Sequence, residues 1–372
     1  MSIEFLNFDR ELCYESEQGT DLVSNLYGVV KDAILAYDDK SKLPLNYNER
    51  CEIARLDLID YSAKCSNVPA DKVKNYEGFK KTMNSFSAFQ EHYFSIVTQV
   101  LDKINSKAEL QEAMQFIEVK SLGEGDSATY EIGSKALFNV EEVGYGDLGS
   151  TRFQYQWYDN KILLPKNYDC SVAMDVYQSA SQGFDIGRMI AKVAISQRAK
   201  MYVDVFDKVM DSASLTGTPF VKNTFSKVGY QTLARDISLV NGGNVMAFGT
   251  NLAYGKISDG IDAKWTFQNS NEYLKSGMIG DLYGVNSVVL NNAMKAYQSY
   301  TTSIPTVIPD DRIVLLSTNV PDKIGKMVIE EGQNSVIFDN GATNNIQLKT
   351  FKVRSSWNVD LISQAVRGMQ LV

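Results

Sequence analysis

The chain has 372 residues, 44% hydrophobic and 22% charged, with a formal net charge of −8 and a pI near 5.0. That composition excludes a disordered or fibrous chain and gives room for two or three packed domains of about 150 residues each. The acidic balance excludes tight sequence-independent binding to phosphate, which is driven by Lys and Arg displacing counterions. Residues 1–115 hold 13 Lys+Arg against 19 Asp+Glu and the remainder 24 against 26, so most of the acidic excess lies in the first third.

No run approaches the ~18 apolar residues of a membrane span. The N-terminus reads MSIEFLNFDREL, acidic where a secretion signal places a basic segment before an apolar one. Cys13, Cys51, Cys65 and Cys170 are far apart, form no C-x-x-C and have no clustered histidines, so reduced thiols are expected and neither a zinc site nor a disulfide framework. His92 is the only histidine, which excludes a His-rich metal site and leaves a His-dependent triad one candidate base. No cofactor or metal is expected.

Taken in chain order, residues 1–115 read as three to five helices. Leu22, Leu26, Val29, Val30, Ala33 and Tyr37 keep helical spacing, as do Cys51, Ala54, Leu58 and Tyr61. Phe79, Met83, Phe86, Tyr93, Val97, Leu101 and Ile104 make a long third stripe, and Pro44 and Pro69 fall between the segments.

Near Glu118 the period changes to two. Tyr130 and Ile132, Phe138 and Val140, then Phe153, Tyr155 and Trp157 alternate on either side of the turn-rich Gly144 to Gly149. This predicts one hairpin with arms of roughly 14 residues, each about 45 Å at 3.3 Å per residue. A two-stranded ribbon of that length is marginal alone in water, so its aromatic face requires another surface, expected from a neighbouring subunit.

A short strand is expected around Ser171 to Val176, then a proline-free helix from about Phe184 to Ser212, roughly 40 Å long at 1.5 Å per residue. Its apolar stripe shifts partway, from Ile186, Ile190 and Val193 to Ala199, Tyr202, Phe206 and Val209, so its two halves should touch different surfaces. Leu233, Ile237 and Val240 mark a helix stopped by Gly242-Gly243. Val245 to Phe248, Val285 to Leu290 and Arg312 to Leu316 read as strands of a mixed sheet; Ser335 to Phe338, Ile346 to Val353 and Val359 to Ile362 as strands of a C-terminal return.

In this order the elements resemble the major capsid proteins of tailed bacteriophages, the Hong Kong 97-like fold, over about residues 116–372. The residues that carry the resemblance are Asn241-Gly242-Gly243 through Phe248-Gly249-Thr250, Ser276-Gly277-Met278-Ile279-Gly280-Asp281-Leu282-Tyr283-Gly284-Val285, and Ile308-Pro309-Asp310-Asp311-Arg312-Ile313. The family's axial domain has such glycine-punctuated turns leading into strands.

The resemblance implies an α+β chain with an N-terminal arm or assembly domain (1–115), an E-loop hairpin (116–170), a peripheral domain with a spine helix (171–221), an axial domain (222–332) and C-terminal strands returning to the peripheral domain (333–372). It implies a structural protein that assembles with itself in pentamers and hexamers, in the host bacterial cytoplasm, into an icosahedral virion shell. The shell encloses double-stranded DNA without reading its sequence, with no membrane. Portal, scaffold or decoration proteins are further partners that the resemblance leaves open, as it does whether residues 1–115 are kept or removed. Phe153, Tyr155 and Trp157 are the expected intersubunit contacts of the hairpin. Gly123, Gly125, Gly183 and Gly187 are the expected hinges, because glycine accepts dihedrals that other residues do not. A hairpin lysine, Lys161, is present, but no partner asparagine or assisting glutamate matches the family's covalent cross-link, so non-covalent locking is expected.

Competing chemistry is weaker. Asn241 to Thr250 is not a Walker loop, because no lysine lies between Gly242 and Gly249. Glu141-Glu142 and Glu330-Glu331 are neighbours that point to opposite faces of a strand and cannot flank one glycosidic bond. His92, between Phe89 and Ile96, rims an apolar face. Phe153, Tyr155 and Trp157 could stack single-stranded nucleic acid, but only Arg152 and Lys161 supply charge nearby. Two alternatives stay open: a nanocompartment shell of the same fold, and a soluble enzyme that uses carboxylates alone.

Overall fold

The structure, a computed structural model, describes residues 17–37, 40–74, 76–105, 117–123, 125–133, 138–140, 142, 154–155, 158–175, 185–259, 281–290, 292, 306–318, 323–330, 335–339, 348–362 and 366–372. It is a mixed α+β chain in two compact units: residues 1–108, 166–199 and 330–356, and residues 109–165, 200–329 and 357–372.

In the first unit the helical N-terminal region runs α1 (Glu17–Leu35), a 3-10 turn (Lys40–Lys42), α2 (Tyr47–Cys65), α3 (Ala70–Val73), α4 (Tyr76–Ser85) and α5 (Ser87–Asn105). Pro44 and Pro69 sit in the gaps on either side of α2, where a missing N–H costs no helical hydrogen bond. The expected third stripe is two helices, parted at Phe86, which is exposed. The buried Gln90 amide donates to the Met83 carbonyl, one of those left free where α4 ends.

The long helix α6 (Ile186–Val209) has 24 residues, about 36 Å of rise. Residues 186–199 belong to the first unit and 200–209 to the second, as the shift of its stripe predicts. Ile186, Ile190, Ala191, Val193 and Ala194 are buried in one core with Leu26, Val30, Leu58, Phe89, Val97 and Leu101 of the N-terminal helices. Phe79 meets Phe89 and Tyr93 edge-on, with centroids 6.1 and 6.2 Å away. Such aromatic pairs add about 0.5–1.5 kcal/mol beyond area burial.

The C-terminal return differs from expectation. Residues 348–353 and 359–361 of the two strands expected over 346–353 and 359–362 fall in one 14-residue strand, β12 (Leu348–Leu361). Polar residues interrupt its apolar pattern because a neighbouring strand, β4 (Lys166–Asp175), supplies their partners: Arg354 donates to Asp169 at 2.8 and 3.1 Å, and the Ser356 hydroxyl to Asn167 at 2.6 Å. On β12, Thr350 to Arg354 pair antiparallel with β11 (Ser335–Asp339). Further along, Trp357 to Leu361 pair with β10 (Gly325–Glu330). The other neighbour of β10 is β1 (Ile117–Leu122), packed so close that a Cβ on Gly325 would lie 2.7 Å from Ile117 Cγ1.

The second unit also holds a six-stranded sheet in the order β5 (Val221–Lys222), β13 (Gly368–Leu371), β9 (Arg312–Thr318), β6 (Asn244–Gly249), β8 (Val285–Val289) and β7 (Asp281–Leu282). Against it lie α7 (Lys227–Asn241) and α8 (Asn251–Asp259), burying Leu233, Ile237, Tyr254, Ile257, Ile313 and Leu315 together. Ser226 caps α7 by accepting the Gly229 N–H at 3.1 Å, and Gly242 ends it at φ 73°, the left-handed conformation for which glycine is the default. Two arginines satisfy carbonyls at the end of α6. Arg367, almost fully buried, donates to the Lys208 and Asp211 carbonyls, and Arg312 reaches the Met210 carbonyl at 3.0 Å.

Candidate assembly surface

The hairpin is built from β2 (Ala128–Gly133) and β3 (Tyr158–Leu163), antiparallel, with Ala128 opposite Leu163 and Gly133 opposite Tyr158. Among the described residues the ladder is six residues per arm, about 20 Å; most of the rest of the expected 14-residue arms lies outside them. Beyond it the arms still face one another: the Asn139 N–H donates to the Gln154 side-chain oxygen at 2.7 Å and the Gln154 amide returns to the Asn139 carbonyl at 2.9 Å. At 138–140 and 154–155 a side-chain amide takes the place of a backbone ladder.

Alternation sorts the two faces. Inward, Ala128 and Leu163 are buried and Tyr130 and Ile132 pack beside them, against Leu122, Val328 and Ile362. Lys326 lies 5.4 Å from the centre of the Tyr130 ring while its ammonium binds Glu118. Burial, the neighbouring Glu118 charge and, in the opposite sense, Lys326 together hold the Tyr130 phenol above its ordinary pKa. Lys161 reaches Asp360 at 3.0 Å.

Outward, Tyr158 and Ile162 are exposed, and Phe138, Val140, Tyr155 and Leu164 add further exposed apolar area along the arms. The Tyr158 ring lies across Gly133, where a Cβ would sit 3.1 Å from Cε1. Burying a side chain of this kind contributes roughly 1.5–3 kcal/mol, and exposed apolar area concentrated on one element marks an interaction surface.

Of the three expected contact residues, Tyr155 is 79% exposed. Phe153 and Trp157 lie outside the described residues, as does Gly183. Tyr158, Ile162 and Leu164, exposed here, were not among the expected contacts: they are even-numbered, the parity opposite to the odd-numbered aromatic run 153, 155 and 157. Gly125 has φ 76° in the turn between β1 and β2, where the Asp126 N–H donates to the Gly123 carbonyl at 3.1 Å. Gly187 is accounted for by packing. A Cβ there would meet Tyr47 Oη at 2.7 Å and Val29 Cγ1 at 2.8 Å.

His92 lies half-buried in α5. Among the described residues no cluster of His, Cys, Asp and Glu could hold a metal, and no helix is long and apolar enough to cross a membrane. Burial raises the Cys51 thiol to about 11, partly offset by the Gly187 N–H and reinforced by Asp185. A thiol held protonated in this way is a poor nucleophile.

No family model and no curated protein matches the sequence. The structure is similar, at low sequence identity, to solved capsid proteins. With the satellite phage P4 procapsid that includes the size determination protein, identity is 7%, coverage 75% of this chain and 90% of that one, and the TM-score 0.44. With the capsid of a native GTA particle the values are 11%, 70%, 89% and 0.47, and with a virus-like particle from Pyrococcus furiosus 13%, 73%, 95% and 0.34.

Proposed function

We propose that this chain is the major capsid protein of a tailed bacteriophage, a Hong Kong 97-like tile that assembles with itself in pentamers and hexamers into an icosahedral shell around double-stranded DNA. The observation that carries the reading is the hairpin, whose inner face is seated on its own unit while Tyr158 and Ile162 on the outer face stay exposed. A neighbouring copy covers that face. Specific interfaces bury about 1,200–2,000 Å² each, and a tile with several neighbours multiplies that area.

The role is mechanical, not catalytic. Each hairpin laid over a neighbour spreads outward pressure over many contacts, and a net charge of −8 suits a wall along which DNA slides without being gripped. Gly123 and Gly125, at the base of the hairpin, are the proposed pivot that lets one sequence serve pentamers and hexamers. Phe153 and Trp157 are proposed to join Tyr155 in the contact.

Size-exclusion chromatography followed by electron microscopy of the purified protein tests the reading: closed shells support it, and a stable small oligomer, the outcome for a carboxylate enzyme, overturns it. A nanocompartment shell would share the geometry. DNA with portal and tail proteins co-purifying supports the capsid, and a peptide-tagged cargo enzyme supports the compartment.

A further inference from the structure

The hairpin's backbone ladder joins only β2 to β3; among the described residues it forms a two-stranded sheet of its own, separate from the sheet holding β1, β10 and β12. Its direction is therefore set by side chains. The seat formed by Leu122, Ala128, Leu163, Val328 and Ile362 is apolar, and apolar contact holds without fixing direction. Directional contacts come from β12. Asn358 donates to the Leu164 carbonyl at 2.7 Å, and two residues on, along the same face, Asp360 takes Lys161 of β3 at 3.0 Å. The other Asp360 oxygen accepts the Leu361 N–H at 3.0 Å and lies 3.7 Å from Lys208 Nζ, in the last turn of α6.

We propose that Asp360 is a positioning residue that fixes the angle at which the hairpin leaves its unit, and with it the curvature of the shell; the inference rests on the shell reading above. One carboxylate ties the hairpin to a sheet strand and to the end of the long helix. The Lys161 and Asp360 side chains are 47% and 30% exposed, and an ion pair at such a rim adds little to folding stability. A small bias in angle is nonetheless repeated in every copy, and closure of a shell sums it.

The test uses the full chain carrying Asp360→Asn, Asp360→Glu or Lys161→Met, with shell diameter read by electron microscopy and folding by thermal denaturation. Asp360→Asn and Lys161→Met should leave the melting transition of the subunit cooperative while the single-size population is lost, and Asp360→Glu should restore it. Shells of unchanged diameter and hairpin angle in both charge-removing variants overturn the proposal. Should Asp360→Asn fail to fold, Lys161→Met alone decides by the same criterion.

Wild-type protein that forms no shell overturns the shell reading instead. The angle is then measured as the distance distribution between spin labels at Asn160 and Arg235. Asp360→Asn broadens it if Asp360 holds the hairpin; an unchanged distribution overturns the proposal.

Discussion

The Tyr47 hydroxyl donates to Asp185 at 2.7 Å, across 138 residues of sequence, and the same Asp185 oxygen accepts the Arg188 N–H at 2.8 Å. An N-terminal helix thus holds the residue that caps the long helix. Removing residues 1–105 would expose Ile186, Ile190, Ala191 and Ala194 along with that cap. The expected outcome is loss of soluble folded protein, measured by expression and circular dichroism. A truncated chain that folds and builds shells of normal size would show that the N-terminal region is dispensable.

Tyr47→Phe removes one hydrogen bond and is expected to cost about 1 kcal/mol. Asp185→Ala removes the cap and leaves the Tyr47 hydroxyl without its acceptor, and should cost about 2 kcal/mol or more. Urea denaturation of both variants checks the order; equal losses would contradict it.

Two glycines in helices should behave oppositely. At Gly187 a methyl group meets Tyr47 and Val29 below 3 Å, so Gly187→Ala should destabilise by about 1–3 kcal/mol. At Gly255 in α8 a Cβ meets nothing within 4 Å, and Gly255→Ala should stabilise by about 0.5–1 kcal/mol. Thermal melts of the two variants read the signs directly.

Asp360 gives a pH signature. Burial alone would raise its carboxyl, but hydrogen bonds from Lys161 and the Leu361 N–H and the charges of Lys161 and Lys208 hold it below the ordinary 3.8. A carboxylate depressed in the folded state adds stability above its unfolded pKa, and that contribution disappears as pH falls through the folded value. The difference in denaturation midpoint between wild type and Asp360→Asn should therefore be largest at neutral pH and shrink as the medium is taken below 3.8. A difference independent of pH would mean that the charge is not what Asp360 contributes.

Legibility in the sequence followed the physics of each element. Helix α6 and its change of partner halfway were written in the shift from Ile186, Ile190 and Val193 to Phe206 and Val209, and the stop of α7 in Gly242. The break at Phe86 was hidden because α4 and α5 keep the apolar spacing across it. The continuity of β12 was hidden because Arg354 and Ser356 look like a loop until Asp169 and Asn167 are placed beside them. Strands β1, β10 and β13 were missed: β13 has four residues and depends on β9 and β5 for its place. At the candidate surface, alternation within β2 and β3 sorts residues by face, but which face the chain itself covers depends on Leu122, Val328 and Ile362, which are distant in sequence. The Asp360 contact to Lys161 joins residues 199 positions apart, and no local pattern encodes it.

The most direct measurement is electron microscopy of the purified full-length protein at a resolution that traces the hairpin. The account predicts closed shells in which Tyr155, Tyr158 and Ile162 of each copy lie buried on a neighbour. A homogeneous monomer with those side chains packed against its own chain would contradict it.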